Sequence, residues 1–74
     1  MILKREIKET LYQDDCVIIN SGHTYHYLSD EEYSKHKKEM EENGYELELS
    51  SDVPSNTSKY KIFAYYTKHV VENL

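Results

Sequence analysis

The chain has 74 residues, a mass of 8.8 kDa and a net charge of −5, from 14 acidic residues against nine Lys and Arg. This length predicts one small domain over residues 1–74, with a thin core because only 38% of the residues are hydrophobic. The single cysteine, Cys16, excludes an intrachain disulfide, so self-association or a partner is expected to add stability. No signal peptide or ~20-residue apolar span is visible, which predicts a soluble cytoplasmic protein.

The negative charge is concentrated in the middle of the chain. Residues 30–58 contain nine acidic residues and three lysines, a net charge of −6, whereas residues 1–29 carry −1 and residues 59–74 carry +2. An electronegative segment repels nucleic acid and attracts basic protein surfaces. Direct binding of DNA or RNA needs a basic stripe, so the sequence predicts no direct nucleic-acid binding.

The first dozen residues are predicted to form a short amphipathic helix. Leu3, Ile7 and Leu11 recur at intervals of four, which is typical of one helix face. A strand is the second interpretation for residues 2–12, and it would place Arg5 and Glu9 on the same face as those apolar residues.

The following segment is predicted to be a hairpin. Its strands would run from Cys16 to Asn20 and from Thr24 to Leu28, across a turn made by Asn20-Ser21-Gly22-His23. Tyr25 and Tyr27 would then share one face of the second strand.

The clearest element is a helix from Ser29 to Asn43. Ser29 is followed three residues later by Glu32, which fits a capping box. Acidic residues fill the first turn, where the helix macrodipole favours negative charge. Gly44 suits the left-handed position that follows a helix end.

Two more strands are predicted after this helix. Tyr45 to Leu49 alternates strictly between apolar and polar residues, and Lys59 to Val70 is rich in aromatic and β-branched residues. Ser50 to Ser58 is predicted to be the loop between them. Together the predictions give an α+β fold: a small antiparallel sheet of about four strands, one principal helix over about residues 29–43, and a short N-terminal helix.

No residue pattern in the chain is typical of catalysis, cofactor binding or a metal centre. The four histidines show no spacing such as His-x-x-x-His, and a second cysteine is missing. Cys16 is expected to be a small buried hydrophobe, and Gly22 and Gly44 are expected to be turn residues. We therefore expect no catalytic residues, no cofactor and no metal, and hence no enzyme.

Acidic residues and tyrosines are the candidates for partner contacts. On their strand, Glu46 and Glu48 would lie ~6.7 Å apart on one face, similar to neighbouring phosphates of a nucleic acid. An ordinary solvated surface is the alternative for any one acidic residue. Eight tyrosines favour an interface for a partner or a second copy, or a small core that lacks Trp. The predicted partner-binding residues are Glu31, Glu32, Glu39, Glu42, Glu46, Glu48, Tyr25, Tyr27 and Tyr65.

In size and character the chain resembles small early proteins of bacteriophages that infect low-GC Gram-positive hosts. It is a short single domain rich in Lys, Glu, Tyr and Asn, acidic and without a catalytic motif. In length and acidity it is similar to sliding-clamp inhibitors of staphylococcal phages, and small anti-CRISPR proteins share the same profile. The resemblance implies host takeover: inhibition of a host DNA-binding protein by acidic DNA mimicry in the host cytoplasm, with the sliding clamp, and so DNA replication, as first target. A Cas nuclease is the second target, and a self-associating structural protein, such as a homodimer, is the competing interpretation.

Overall fold

The computed structural model describes residues 1–54 and 58–74. Within them, four strands form one antiparallel sheet in the order β1-β2-β4-β3, with one helix between β2 and β3. The elements are β1 (Ile2–Gln13), β2 (Cys16–Tyr27), α1 (Asp30–Glu42), β3 (Glu46–Asp52) and β4 (Ile62–Asn73). The predicted α+β fold of about four antiparallel strands and one principal helix is confirmed.

The prediction of an N-terminal helix is wrong, because residues 2–13 form the strand β1. This strand pairs with β2 along its whole length, with Lys4 as an extra residue between Leu3 and Arg5. A spacing of four residues keeps side chains on one face of a strand as well as of a helix, so the apolar pattern fitted both. Pairing with β2 selects the strand.

The predicted hairpin within residues 16–28 is also wrong, because β2 is continuous from Cys16 to Tyr27. Gly22 lies in the middle of this strand, where the ring of Tyr65 from β4 crosses it. A Cβ at position 22 would lie 2.5 Å from the Tyr65 hydroxyl oxygen. The glycine therefore marks a close approach of a side chain to the backbone, and not a turn.

Helix α1 begins and ends where the sequence predicts. The hydroxyl of Ser29 accepts a hydrogen bond from the backbone N–H of Glu32 at 3.1 Å. Asn43 is the C-cap, and Gly44 follows with a φ of 86°, in the left-handed region that favours glycine. The helix then turns at once into β3.

The C-terminal strands match the predicted positions but not all of the predicted limits. β3 continues through Ser50 and Ser51 to Asp52, so the first part of the predicted loop is strand. Residues 55–57 of that loop lie outside the described residues. β4 begins at Ile62 and continues to Asn73, and a bulge at Glu48 interrupts the pairing of β3 with β4.

Helix α1 covers only part of one sheet face. A 13-residue helix is about 20 Å long, whereas the longest dimension of the molecule is 48 Å. The buried apolar side chains are those of Tyr27, Met40, Ala64 and Tyr66, all between the helix and β2 or β4. No described helix has the length and apolar character needed to cross a lipid bilayer. We call the face of the sheet that α1 does not cover the open face.

Candidate partner-binding surfaces

The helix is fixed to the sheet by a buried chain of hydrogen bonds. The Tyr27 hydroxyl lies 2.6 Å from Nδ1 of His36 and 2.7 Å from the Tyr66 hydroxyl. With a neutral His36 ring and Nδ1 as acceptor, Tyr66 donates to Tyr27 and Tyr27 donates to His36. Each buried polar group in this series thus has a hydrogen-bond partner, which is the condition for burying it at low cost in free energy.

Burial disfavours the charged form of all three side chains in this series of hydrogen bonds. It raises the pKa values of Tyr27 and Tyr66 above their ordinary value, so both stay protonated. Burial lowers the pKa of His36, and the nearby carboxylates of Glu39 and Glu32 partly oppose that shift. His36 is therefore neutral at pH 7, and the cluster has a structural role.

Two of the predicted acidic residues lie on the side of α1 that faces the N-terminus of β1. A carboxylate oxygen of Glu32 lies 2.5 Å from the amino group of Met1, and this contact lowers the pKa of Glu32. Glu32 and Glu39 line one small hollow together with Met1, Lys35 and His36. The amino group of Met1 thus pairs with the Glu32 carboxylate, which makes Glu32 a poor candidate for a free acidic surface, whereas Glu39 is exposed.

Glu46 and Glu48 lie together at the other edge of the sheet. Glu46 is the register partner of Thr67, and Glu48 accepts a hydrogen bond of 2.7 Å from the Thr67 hydroxyl. Thr67 projects from the open face, because its register partner in β2 is Gly22. Both side chains are exposed. The bulge at Glu48 replaces the regular alternation that the sequence suggested.

The remaining predicted helix acids, Glu31 and Glu42, are exposed on the outer side of α1, away from His36 and Met40. No basic residue of α1 lies in its last turn, where the macrodipole favours positive charge. The side chain of Lys68 instead comes from β4 and donates a hydrogen bond of 2.9 Å to the carbonyl of Asn43.

Exposed carboxylates lie along the outer side of α1 and at the β3 edge of the sheet, where Glu46 and Glu48 lie beside Thr67 toward the open face. Only residues 43–45 separate the end of α1 from the start of β3. We call this group the acidic surface: Asp30, Glu31, Glu41, Glu42, Glu46 and Glu48, all exposed.

The three predicted tyrosines have different positions. Tyr27 is fully buried and so is a core residue, which corrects its prediction as a contact residue. Tyr25 is half-buried on the same side, with its ring centre 4.5 Å from that of His36. Tyr65 lies on the open face over Gly22 and is half-buried. Of the three, Tyr65 is thus the one placed away from the helix-covered core.

The prediction missed the outer strand β1 and its exposed apolar residues. Ile7 and Leu11 lie on the open face, because their register partners in β2 are Gly22 and Ile18. Each is more than 40% exposed. Their spacing was visible in the sequence, but the helical interpretation placed them against a core.

The histidines are dispersed over the structure. His23 and His26 lie on opposite faces of β2, His36 is in the core, and His69 contacts the side-chain oxygen of Asn20 on the open face. Among residues 1–54 and 58–74, no three His, Cys, Asp or Glu side chains cluster as metal ligands. Cys16 is half-buried, and its thiol lies 3.1 Å from the carbonyl of Gln13.

Comparison of the chain with protein-family models, with curated proteins and with solved structures gave no match. The functional assignment therefore rests on the surfaces described above.

Proposed function

We propose that this chain is a phage-type inhibitor that binds a host DNA-handling protein through its acidic surface. The acidic surface occupies the basic groove that otherwise holds DNA, so that binding of the inhibitor and of DNA exclude each other. The first target is the sliding clamp of the replicative polymerase, whose loss from DNA halts host replication in the cytoplasm. The protein acts by stoichiometric binding and not as an enzyme.

One observation carries this proposal. The charges of α1 and β3 sum to −6, from nine acidic side chains and three lysines, so these two elements carry more than the whole net charge of −5. In the remaining elements, positive and negative charges nearly cancel. A molecule with this uneven distribution of charge is attracted to a basic surface in one orientation, which speeds association.

The position of the carboxylates adds support. Glu41 and Glu42 occupy the last turn of α1, where negative charge opposes the macrodipole, and Glu41 alone has a basic partner on the helix, Lys37 at 3.9 Å. Each unfavourable charge of this kind costs about 0.3–1 kcal/mol of helix stability. Charges kept at a cost to folding indicate a use on the surface, and contact with a basic partner is the use that this surface fits.

The alternative target is a Cas nuclease, which also binds nucleic acid in a positively charged channel. The same acidic surface would serve for that target. A different class of function, a self-associating structural protein, is supported by the exposed apolar residues of β1. In that case the acidic surface only keeps the assembly soluble.

The test is a binding assay with two purified targets, the sliding clamp of a Gram-positive bacterium and a Cas nuclease loaded with guide RNA. We expect a stoichiometric complex with the clamp, weakened by salt, that prevents the clamp from being loaded onto primed DNA. A complex with the Cas nuclease alone would replace the clamp as the target. If neither protein binds at low salt, both targets are excluded.

A further inference from the structure

The outer strand β1 offers a long edge that no other described strand pairs with. It has 12 residues, all exposed, and pairs on one side only, because it is the last strand in the order β1-β2-β4-β3. Strands are usually about 5–6 residues long. The backbone N–H and C=O groups on the outer side of β1 face no other strand in the part of the chain that the structure describes. Such a row of groups is a template for pairing with another strand.

A second copy of the chain can pair with this edge in only a few registers. In an antiparallel pair related by a two-fold axis, the numbers of facing residues have a constant sum. That sum must be even, because facing residues must project their side chains to the same face of the sheet. Every such register therefore places one residue opposite itself, on the axis.

The charges of β1 select one of these registers. Between Lys4 and Glu9, Ile7 is the single uncharged residue, and any other residue of this stretch on the axis would face its own charge. Like charges directly opposite each other destabilise a strand pair. An axis at Ile7 also pairs the regular stretch from Arg5 to Glu9 in full, up to the bulge at Lys4.

With Ile7 on the axis, the flanking charges are complementary. Arg5 faces Glu9 of the second copy, and Glu6 faces Lys8 of the second copy. Each pair occurs twice, so the interface has four pairs of opposite charges, and none of its facing pairs has like charges. The observed register of β1 on β2 places Arg5 and Glu9 on the open face and Glu6 and Lys8 on the helix side, as these pairs require.

The shift of register by two residues in either direction lacks this complementarity. One shift places Glu6 opposite Glu6, and the other places Lys8 opposite Lys8. The neighbouring registers place like charges opposite each other, so the charge pattern both permits the pairing and determines its register.

We propose that two copies of this chain associate through antiparallel pairing of their β1 strands, with Ile7 on the two-fold axis. The result is one eight-stranded sheet with both helices on the same side. The proposal is independent of the proposed function, and it leaves Glu46 and Glu48 of both copies at the far edges of the sheet. It also adds burial to a protein whose fully enclosed apolar core has only four described side chains.

The test begins with the molar mass in solution, measured by sedimentation over a range of concentrations. We expect a particle of twice the 8.8 kDa of the chain. Arg5→Glu and Glu9→Arg should each raise the dimer Kd about tenfold, because each replaces two attractive pairs with repulsive ones. The double variant Arg5→Glu/Glu9→Arg restores opposite charges and should restore the wild-type Kd.

Arg5 and Glu9 are suitable for this swap because both are exposed and neither takes part in an ion pair with another described residue. Circular dichroism of each variant checks that the fold is intact. A monomer at every concentration would overturn the proposal. So would a dimer whose Kd is unchanged by the single reversals, or one that the double variant fails to restore.

Crosslinking tests the position of the axis separately. Facing Cα atoms in an antiparallel pair are about 4.5–5.5 Å apart, within the range of a disulfide. Ile7→Cys in a Cys16→Ser background should therefore form a covalent dimer on mild oxidation. Thr10→Cys in the same background is the control, because the proposed register separates its two copies by about 20 Å. Equal crosslinking of both variants would contradict the register.

Discussion

At the scale of single residues, Gly22 shows how one amino acid can be compatible with two structures. In the sequence, Asn20-Ser21-Gly22-His23 has the composition of a turn. In the structure the backbone runs straight through, because Gly22 provides space for the ring of Tyr65 from a strand more than 40 residues later. That contact is long-range, so no local pattern could have predicted it.

The close approach at Gly22 gives a first prediction. Gly22→Ala places a methyl group within 3.0 Å of the Tyr65 hydroxyl oxygen and two Tyr65 ring atoms, so the ring must move. We expect a loss of about 1–3 kcal/mol in the free energy of unfolding, measured by urea denaturation. In a Tyr65→Ala background the same substitution should cost far less. An equal cost in both backgrounds would show that the ring is not the obstacle.

The buried hydrogen-bond chain gives a second prediction. The Tyr27 hydroxyl contacts both His36 and Tyr66, whereas the described contact of the Tyr66 hydroxyl is Tyr27 alone. Tyr27→Phe should therefore destabilise the protein more than Tyr66→Phe, by about 1–3 kcal/mol for the group left unsatisfied. Urea denaturation of both variants measures the difference. A larger loss of stability for Tyr66→Phe would contradict this description of the buried hydrogen bonds.

His36 adds a pH dependence to the same cluster. Its folded-state pKa is lowered by burial, while the unfolded chain titrates near 6.5. Above about pH 6.5 the ring is neutral in both states and has no effect. Below it the unfolded state binds the proton first, so stability falls until the folded-state pKa is passed.

Thermal denaturation of wild type and His36→Gln between about pH 7 and 5 isolates this effect. Glu39 and Glu32 face His36, and both proteins retain them. Both also retain His26, whose pKa is lowered by burial as well. We expect the wild-type Tm to fall more steeply than that of the variant. Parallel curves would mean that His36 does not titrate differently on folding.

At the scale of secondary-structure elements, the helix was predictable because its signals are local. The cap at Ser29, the acidic first turn and Gly44 lie within the segment that they define. β1 was not predictable in the same way. Leu3, Ile7 and Leu11 fit both periods, and the decision between them depends on pairing with β2, which follows later in the chain.

The helix cap gives a prediction at this scale. Ser29→Ala removes the acceptor of the Glu32 backbone N–H and should lower the free energy of unfolding by about 1 kcal/mol. Ser34→Ala is the matched control, since this serine is exposed within the helix, where alanine is the better helix former. Denaturant titration should show a loss for the first variant and no loss for the second. Equal effects would exclude a specific role for the cap.

At the scale of the whole molecule, the sequence allowed prediction of the fold class and of where the acidic residues concentrate along the chain. It did not allow prediction of how the carboxylates divide among surfaces. Glu32 contacts the amino group of Met1 and Glu39 lines the same hollow, whereas Glu46 and Glu48 lie at the opposite sheet edge. This division depends on how the helix crosses the sheet, which charge counting does not contain.

The acidic surface gives a prediction for partner binding. Glu46→Gln/Glu48→Gln removes two charges and keeps an oxygen that can accept the hydrogen bond from Thr67. We expect the Kd for the target to rise about tenfold at low salt, and the difference to shrink at high salt as screening increases. Calorimetric titration of the purified target measures both values.

Asp14→Asn/Asp15→Asn is the matched control for this prediction. It removes the same charge from the turn between β1 and β2, far along the sheet from β3. Asp14 has a φ of 50°, and asparagine tolerates this conformation. The control should change the Kd little. Equal losses in both variants would indicate attraction by net charge rather than contact by the acidic surface.

The most direct measurement of the central claim is competition with DNA. The tagged protein is immobilised, a lysate of a Gram-positive host is passed over it at low salt, and bound proteins are eluted first with duplex DNA and then with high salt. We predict that duplex DNA releases one DNA-handling protein, identified by its mass, because DNA and the acidic surface compete for the same basic groove. A bound protein that DNA cannot release, or capture of no protein from the lysate, would contradict DNA mimicry.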